Sequence, residues 1–190
     1  MTFEPVSYNI QHMTDEITPK DRLQTYLDEI TGNELDRFPE LLANEETSET
    51  GRQDSMIARI WYELYPILYV EKRIICPKPI KPAEEKTEAR KDTVRTEKLA
   101  KVLGIRIGEL PAVIQHGMPN ERLKQRLERT FVALNLFLRI FEDPEERARN
   151  LTFPRPELHG KSPIDAFIAG KTDEVLYLAA MSARHLDVLG

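Results

Sequence analysis

The chain has 190 residues, 41% hydrophobic and 31% charged, with a net charge of -5, 13 Pro, 8 Gly and a single Cys. That is enough for one ordinary domain or two small ones. The lone Cys76 excludes an intramolecular disulfide, and no run approaches the roughly 18 consecutive apolar residues of a membrane span. The first residues lack a basic region followed by an apolar stretch, so a soluble cytoplasmic protein is expected. Runs of Glu, Lys, Arg, Leu and Ala between the prolines predict an all-α fold.

The charge is unevenly placed. Residues 1–70 hold 5 basic and 14 acidic side chains (5 - 14 = -9), residues 71–130 hold 15 and 9 (15 - 9 = +6), and residues 131–190 hold 7 and 9 (7 - 9 = -2). A basic middle suits either a polyanion contact or a solvated charged linker.

Thr18-Pro19-Lys20-Asp21 reads as a capping box with proline at the first helical position, and Leu23, Leu27 and Ile30 follow at helical spacing up to Gly32. A second helix is predicted from about Asn33 to Ala43, bent or split at Pro39. From Asp54, the residues Ile57, Ile60, Trp61, Leu64 and Leu68 form one stripe, a core or homodimer face, with a kink at Pro66. Residues 1–75 make a helical N-terminal module of unassigned role. Residues 76–95 read as a polar linker, extended around Pro77, Pro79 and Pro82, whose second part is a candidate solvated helix.

From Thr96 a helix-turn-helix spacing begins: Ala100 where helices cross, Gly104 at the turn, and Leu110 seating the second helix, at positions 5, 9 and 15 counted from Thr96. Pro111 falls where the second helix should be running, and Glu109 would face phosphates. Either DNA contact or a purely structural role follows. The candidates for DNA contact are Arg95, Lys101, Arg106, Gln115 and His116. Asn120 then caps a long helix with Leu123, Leu127, Phe131, Leu134, Leu138 and Phe141 on one stripe. Arg122, Lys124, Arg126 and Arg129 oppose it, as a phosphate-tracking or a solvated face. Asp143-Pro144-Glu145-Glu146 and Ser162-Pro163-Ile164-Asp165 are further helix starts, and Thr172-Asp173-Glu174 opens the last helix, which buries Val175, Leu176, Ala179 and Leu186.

The most distinctive run is Asn150 to Phe167. Pro154 and Pro156 force an extended approach, Gly160 permits a tight turn after Leu158, Ser162-Pro163 starts a helix at once, and Gly170 closes it. This rigid corner resembles the signature of the toxin-binding domain in Xre, MbcA and ParS type antitoxins, and the preceding helix-turn-helix stands in the order that family shows. The resemblance covers residues 96–190, divided into a helix-turn-helix region and connecting helix (96–140) and a toxin-binding domain (141–190). It implies neutralisation of a RES-domain toxin that consumes NAD or transfers ADP-ribose, by covering its active site, with operator DNA as a second partner. It also assigns structural roles to Leu158, Gly160, Pro163 and Gly170, and places Asp165 and Phe167 in the helix that follows. Asn150 stands where the family often has Trp, and Phe153 is expected in the aromatic's space. Arg184, His185, Leu186, Asp187 and Gly190 are the candidate toxin contacts, with Asp187 and the terminal carboxylate entering a cationic NAD cleft and Val188 and Leu189 packing on its walls.

Catalysis is not expected. His12, His116, His159 and His185 stand singly, no set has metal-ligand spacing, and no cofactor is implied. Gly160-Lys161-Ser162 mimics the end of a phosphate loop, but Arg155 stands where the first glycine belongs. The competing readings are a helix-turn-helix regulator without a toxin and a non-enzymatic dimeric interaction module.

Overall fold

The structure, a computed structural model, describes residues 18–38, 49–68 and 84–189, with side chains resolved over 18–38, 49–68 and 92–185. Regular structure among them is helical, apart from one isolated bridge between Arg155 and Lys161. None of the described helices is long and apolar enough to cross a membrane.

Helix α1, Pro19–Leu35, begins with the expected capping box: the Asp21 amide donates to Thr18 Oγ1 at 3.2 Å and the Thr18 amide donates back to Asp21 Oδ2 at 3.2 Å. The Thr18 hydroxyl, which donates to Asp21 Oδ2 at 2.6 Å, and then the Thr18 amide hold the Asp21 carboxyl below its ordinary pKa. Gly32 does not end this helix, which absorbs Asn33, Glu34 and Leu35; the rest of the predicted second helix, from Pro39 on, lies outside the described residues. The glycine's propensity cost of about 1 kcal/mol is outweighed because Leu35 is buried and Phe38 stands edge-on to Phe131 at 5.2 Å.

Helix α2, Glu49–Leu64, starts five residues earlier than the stripe suggested and stops before Pro66. Proline has no amide to continue the ladder, so it ends the helix and does not kink it. Ile57, Ile60, Leu64 and Leu68 are buried in the chain's own core, and Trp61 is half-buried against it. The stripe is thus mostly a core face.

Helix α3, Glu84–Leu103, runs through the supposed boundary at residue 95. Its Glu, Lys, Arg and Ala residues are good helix formers, so the candidate helix in the second part of the linker forms and runs without a break into the helix that follows. Leu99, Ala100, Val102 and Leu103 anchor its end. The helix stops at Gly104, φ +79°, where the Ile105 amide reaches back to the Ala100 carbonyl at 2.9 Å. A single 3-10 turn, Ile107–Glu109, leads into α4, Leu110–His116, with Pro111 in its first turn. Pro111 therefore opens the second helix of the helix-turn-helix and does not interrupt it.

Helix α5, Glu121–Ile140, is capped by Asn120, whose Oδ1 accepts from the Leu123 amide at 3.0 Å. It is the central element. Every residue from Arg129 to Phe137 is buried, so its second half lacks a polar face. Helices α1, α2, α3 and the last helix, Thr172–Leu189, pack around it, and the buried apolar residues of all of them form one cluster. The N-terminal helices, expected as a separate module, share this core. Helices α6, Pro144–Thr152, α7, Pro163–Ile168, and α8, Thr172–Leu189, complete the bundle.

The supposed phosphate-tracking face of α5 points mostly inward. Arg129, 5% exposed, donates to Asp28 of α1 at 2.5 Å and to Asp173 of α8 at 2.7 Å. Lys124 pairs with Glu49 at 2.6 Å, and Arg52 of α2 lies 3.5 Å from Glu128. The half-buried Arg126 donates to three carbonyls: Val102 at 2.8 Å, Lys101 at 2.6 Å and Phe167 at 3.1 Å.

Arg126→Met should leave the Val102 carbonyl without its donor, and the Lys101 and Phe167 carbonyls with only the Gly104 and Gly170 amides at 3.1 and 3.0 Å, destabilising the fold by about 2 kcal/mol and lowering the thermal midpoint by roughly 4–8 °C. Arg126→Lys should not restore it, because an ammonium cannot reproduce the planar fork. Circular-dichroism melts decide this. Burial pushes the Glu128 carboxyl above its ordinary 4.5, outweighing the opposite pull of Arg52 and Lys124. A raised folded-state pKa means that stabilisation is fully present below 4.5 and lost as pH rises through the raised value. Glu128→Gln should accordingly raise the midpoint at pH 7 by roughly 1 °C and have no effect at pH 4, checked by melts across that range.

Candidate partner-binding site

The corner forms by local rules. Helix α6 ends at Thr152; Phe153 to Arg155 are extended, as two prolines require; and a 3-10 turn, Pro156–Leu158, places Leu158 in the core at 1% exposure. His159 and Gly160 then turn the chain with φ of +56° and +75°. The loop closes on itself: the Arg155 amide donates to the Lys161 carbonyl at 2.9 Å, and the Gly160 amide donates to the Arg155 carbonyl at 2.9 Å. The Arg155 guanidinium donates to Asn150 Oδ1, tying the loop to the end of α6.

Buried Ser162 caps α7, accepting from the Asp165 amide at 3.2 Å and donating its hydroxyl to Asp165 Oδ2 at 2.7 Å. Pro163 follows, buried, in the first turn, and Phe167 is fully buried. Gly170, φ +79°, ends the segment, and the Lys171 amide returns to the Ala166 carbonyl at 2.9 Å. Leu158, Gly160, Pro163 and Gly170 thus occupy an anchor, a turn, a helix start and a helix stop. Two features were not anticipated. His159 adopts the left-handed conformation, which non-glycine residues seldom do, and Phe153 is 62% exposed on the corner and does not fill an aromatic's place in the core.

Beside the corner lies a groove of about 640 Å³. Leu23 of α1, Tyr177, Leu178 and Met181 of α8 give it an apolar floor; Glu157 of the corner and His185 stand at its margin. Leu23 and Tyr177 are 44% and 43% exposed, and Tyr177 is fixed edge-on to Tyr26 at 6.1 Å. An apolar surface of this size, framed by polar side chains and built on packed helices, is suited to receive a partner's side chains. Of the expected toxin contacts, Arg184 and His185 are exposed near the end of α8, and only His185 lines the groove. The backbone of Leu186 and Asp187 continues α8 to Leu189; their side chains, and Gly190, lie outside the described residues. Tyr177 and Met181 escaped the sequence reading because helical spacing groups them with core residues; the signal available was an excess of large apolar residues in α8 beyond the stripe of Val175, Leu176 and Ala179.

The candidate DNA contacts do not form one free basic surface. Exposed Arg106 is neutralised by Glu109 at 2.8 Å, and the same carboxylate accepts from the Arg106 amide, which with the side-chain bond holds its pKa low. Arg95 pairs with Asp92 at 3.2 Å and lies over the Tyr65 ring at 4.2 Å. Lys101, Gln115 and His116 are exposed. No group of three or more His, Cys, Asp or Glu able to hold a metal occurs among the described residues.

No family model, curated protein or solved structure matches the chain.

Ser162→Ala should cost about 1 kcal/mol through the lost cap and lower the midpoint by roughly 2–4 °C, since α7 has only six residues to hold its own start. Differential scanning calorimetry measures it.

Proposed function

We propose that the chain is an antitoxin of the Xre, MbcA and ParS type, which binds a RES-type enzyme that consumes NAD or transfers ADP-ribose and covers its active site. The observation that carries this is the backbone-locked corner from Asn150 to Ser162, set beside an exposed apolar groove on α1 and α8. A surface whose backbone is already fixed loses little conformational entropy on docking, which suits a tight stoichiometric inhibitor. The family signature in the sequence falls on that same corner. Arg184 and His185 extend the contact along α8, with Leu186, Asp187 and Gly190 beyond them.

Operator DNA takes a subordinate place in this reading. Arg95, Arg106, Lys124 and Arg129 already have carboxylate partners within the chain, so phosphate contacts would rest on Lys101, Gln115, His116 and the exposed Arg122.

The test is co-expression with the enzyme encoded by the adjacent reading frame, reading cellular NAD and co-purification. The wild-type chain should co-purify and preserve NAD. Tyr177→Arg combined with Met181→Asp should weaken binding by about 30-fold or more, the scale of a lost apolar anchor, and a circular-dichroism melt of the variant alone confirms that it stays folded at the assay temperature. A neighbouring enzyme without a RES fold, or NAD turnover by the chain alone, refutes the proposal.

A further inference from the structure

A second cavity, of about 570 Å³, opens where α3 ends, α5 begins and α8 starts. Unlike the groove, it is polar and cationic. Arg122 is exposed and has no ion-pair or hydrogen-bond partner among the described residues. Arg126 directs Nε and Nη2 at carbonyls, so no acid neutralises its charge, and its Nη1 amino group makes no hydrogen bond. Nη1 lies where Gly104 and Gly170 make room: a Cβ on either would fall 2.8 or 3.2 Å from it. The two guanidiniums are near enough that Arg122, after burial, lowers the Arg126 pKa. Lys171 and Arg129 also line the cavity and pair with its two carboxylates, Glu174 through Oε1 at 2.6 Å and Asp173 at 2.7 Å; Glu174 Oε2 is buried without a hydrogen-bond partner among the described residues, and the four cations outnumber the two acids.

The start of α8, an 18-residue helix, forms one wall, with the positive end of its dipole at the cavity. Thr172, its first residue, is 3% exposed, and its hydroxyl has no partner. An unpaired buried hydroxyl is costly unless something completes it. Two uncompensated guanidiniums, a helix N-terminus and an orphan hydroxyl around one cavity are the complement of a tetrahedral oxyanion.

We propose that this cavity binds a phosphate group of a soluble ligand, between Arg122, the free Nη1 of Arg126 and Thr172. The cavity adjoins the partner groove, with Asp173 and Glu174 in the wall between them, but the phosphate assignment uses none of the groove's apolar residues and is tested without the partner.

Isothermal titration of the full chain with sodium phosphate, at constant ionic strength set by sodium chloride, tests this. Saturable heat from phosphate and none from chloride is expected. Arg122→Gln and Thr172→Val should each weaken it about tenfold, the scale of one charge-assisted or buried hydrogen bond. Neither side chain has a partner to lose, so both variants should keep the wild-type melt. Titration with AMP and adenosine separates the sources: AMP tighter than phosphate identifies a nucleotide phosphoryl, equal affinity identifies free phosphate, and adenosine should be silent in both cases. Heat that chloride reproduces, binding unchanged in both variants, or adenosine binding as well as AMP overturns the assignment.

Discussion

The position of the Arg126 guanidinium governs how the two sequence motifs become one object. Its three donors meet the last carbonyls of α3 and of α7, so a single cation sits at the negative ends of two helices. Those carbonyls lie in the last turns, where a carboxylate would be repelled; the Lys101 and Phe167 oxygens also accept from the Gly104 and Gly170 amides at 3.1 and 3.0 Å. Gly104 and Gly170 serve this arrangement twice over. Each adopts φ of +79°, which ends its helix, and each lacks the Cβ that would collide with Nη1. The helix-turn-helix and the corner are thereby pinned to the same residue of α5. Burial and, after it, the Arg122 charge lower the Arg126 pKa from its ordinary value.

The split of charge along the chain finds its explanation in packing. Acidic residues of the first third face basic residues of the middle and last thirds across helix interfaces: Asp28 with Arg129, Glu49 with Lys124, Glu34 with Arg139 at 3.2 Å and Glu63 with Arg147 at 3.4 Å. Pairs open to water contribute about 0–1 kcal/mol each, so most of them orient helices more than they stabilise them. Arg129 is different. At 5% exposure its charge must be matched, and removing either acid would leave it partly uncompensated. A basic middle segment therefore reflects complementarity within the molecule as much as affinity for a polyanion.

What the sequence made legible was local. Thr18, Asn120, Asp143 and Ser162 cap helices as read, and Leu158, Gly160, Pro163 and Gly170 take the roles that spacing and residue type dictate. These depend on neighbours within a few residues, which sequence displays directly. The misreadings share the opposite property. Gly32 fails to stop α1 because distant residues bury Leu35, the boundary at residue 95 disappears because α3 is anchored from Leu99 onward, and Arg129 looks solvated until α1 and α8 close over it. Pro111 was ambiguous for a subtler reason: its effect depends on whether it falls inside a helix or at its start, and a shift of a few residues in that boundary reverses the meaning. The groove was hidden because whether Tyr177 lies on a covered or an open face depends on which helices pack against α8, and adjacent residues of the helix give no sign of that.

The groove is assembled from residues far apart in the chain, and this makes its existence conditional. Leu23 comes from α1, Glu157 from the corner, Tyr177 and His185 from α8. The ion-pair tie that holds α1 and α8 to a common element is Arg129, through Asp28 on one side and Asp173 on the other, assisted by the Tyr26–Tyr177 contact. Asp173 lies within the groove wall, so the residue that fixes the spacing between the helices also borders the surface they create. A partner that fills this groove must bind the folded chain in preference to the unfolded one. Its binding free energy then adds to the chain's stability by mass action, and ties around Arg129 that are modest by themselves become coupled to the strength of the complex.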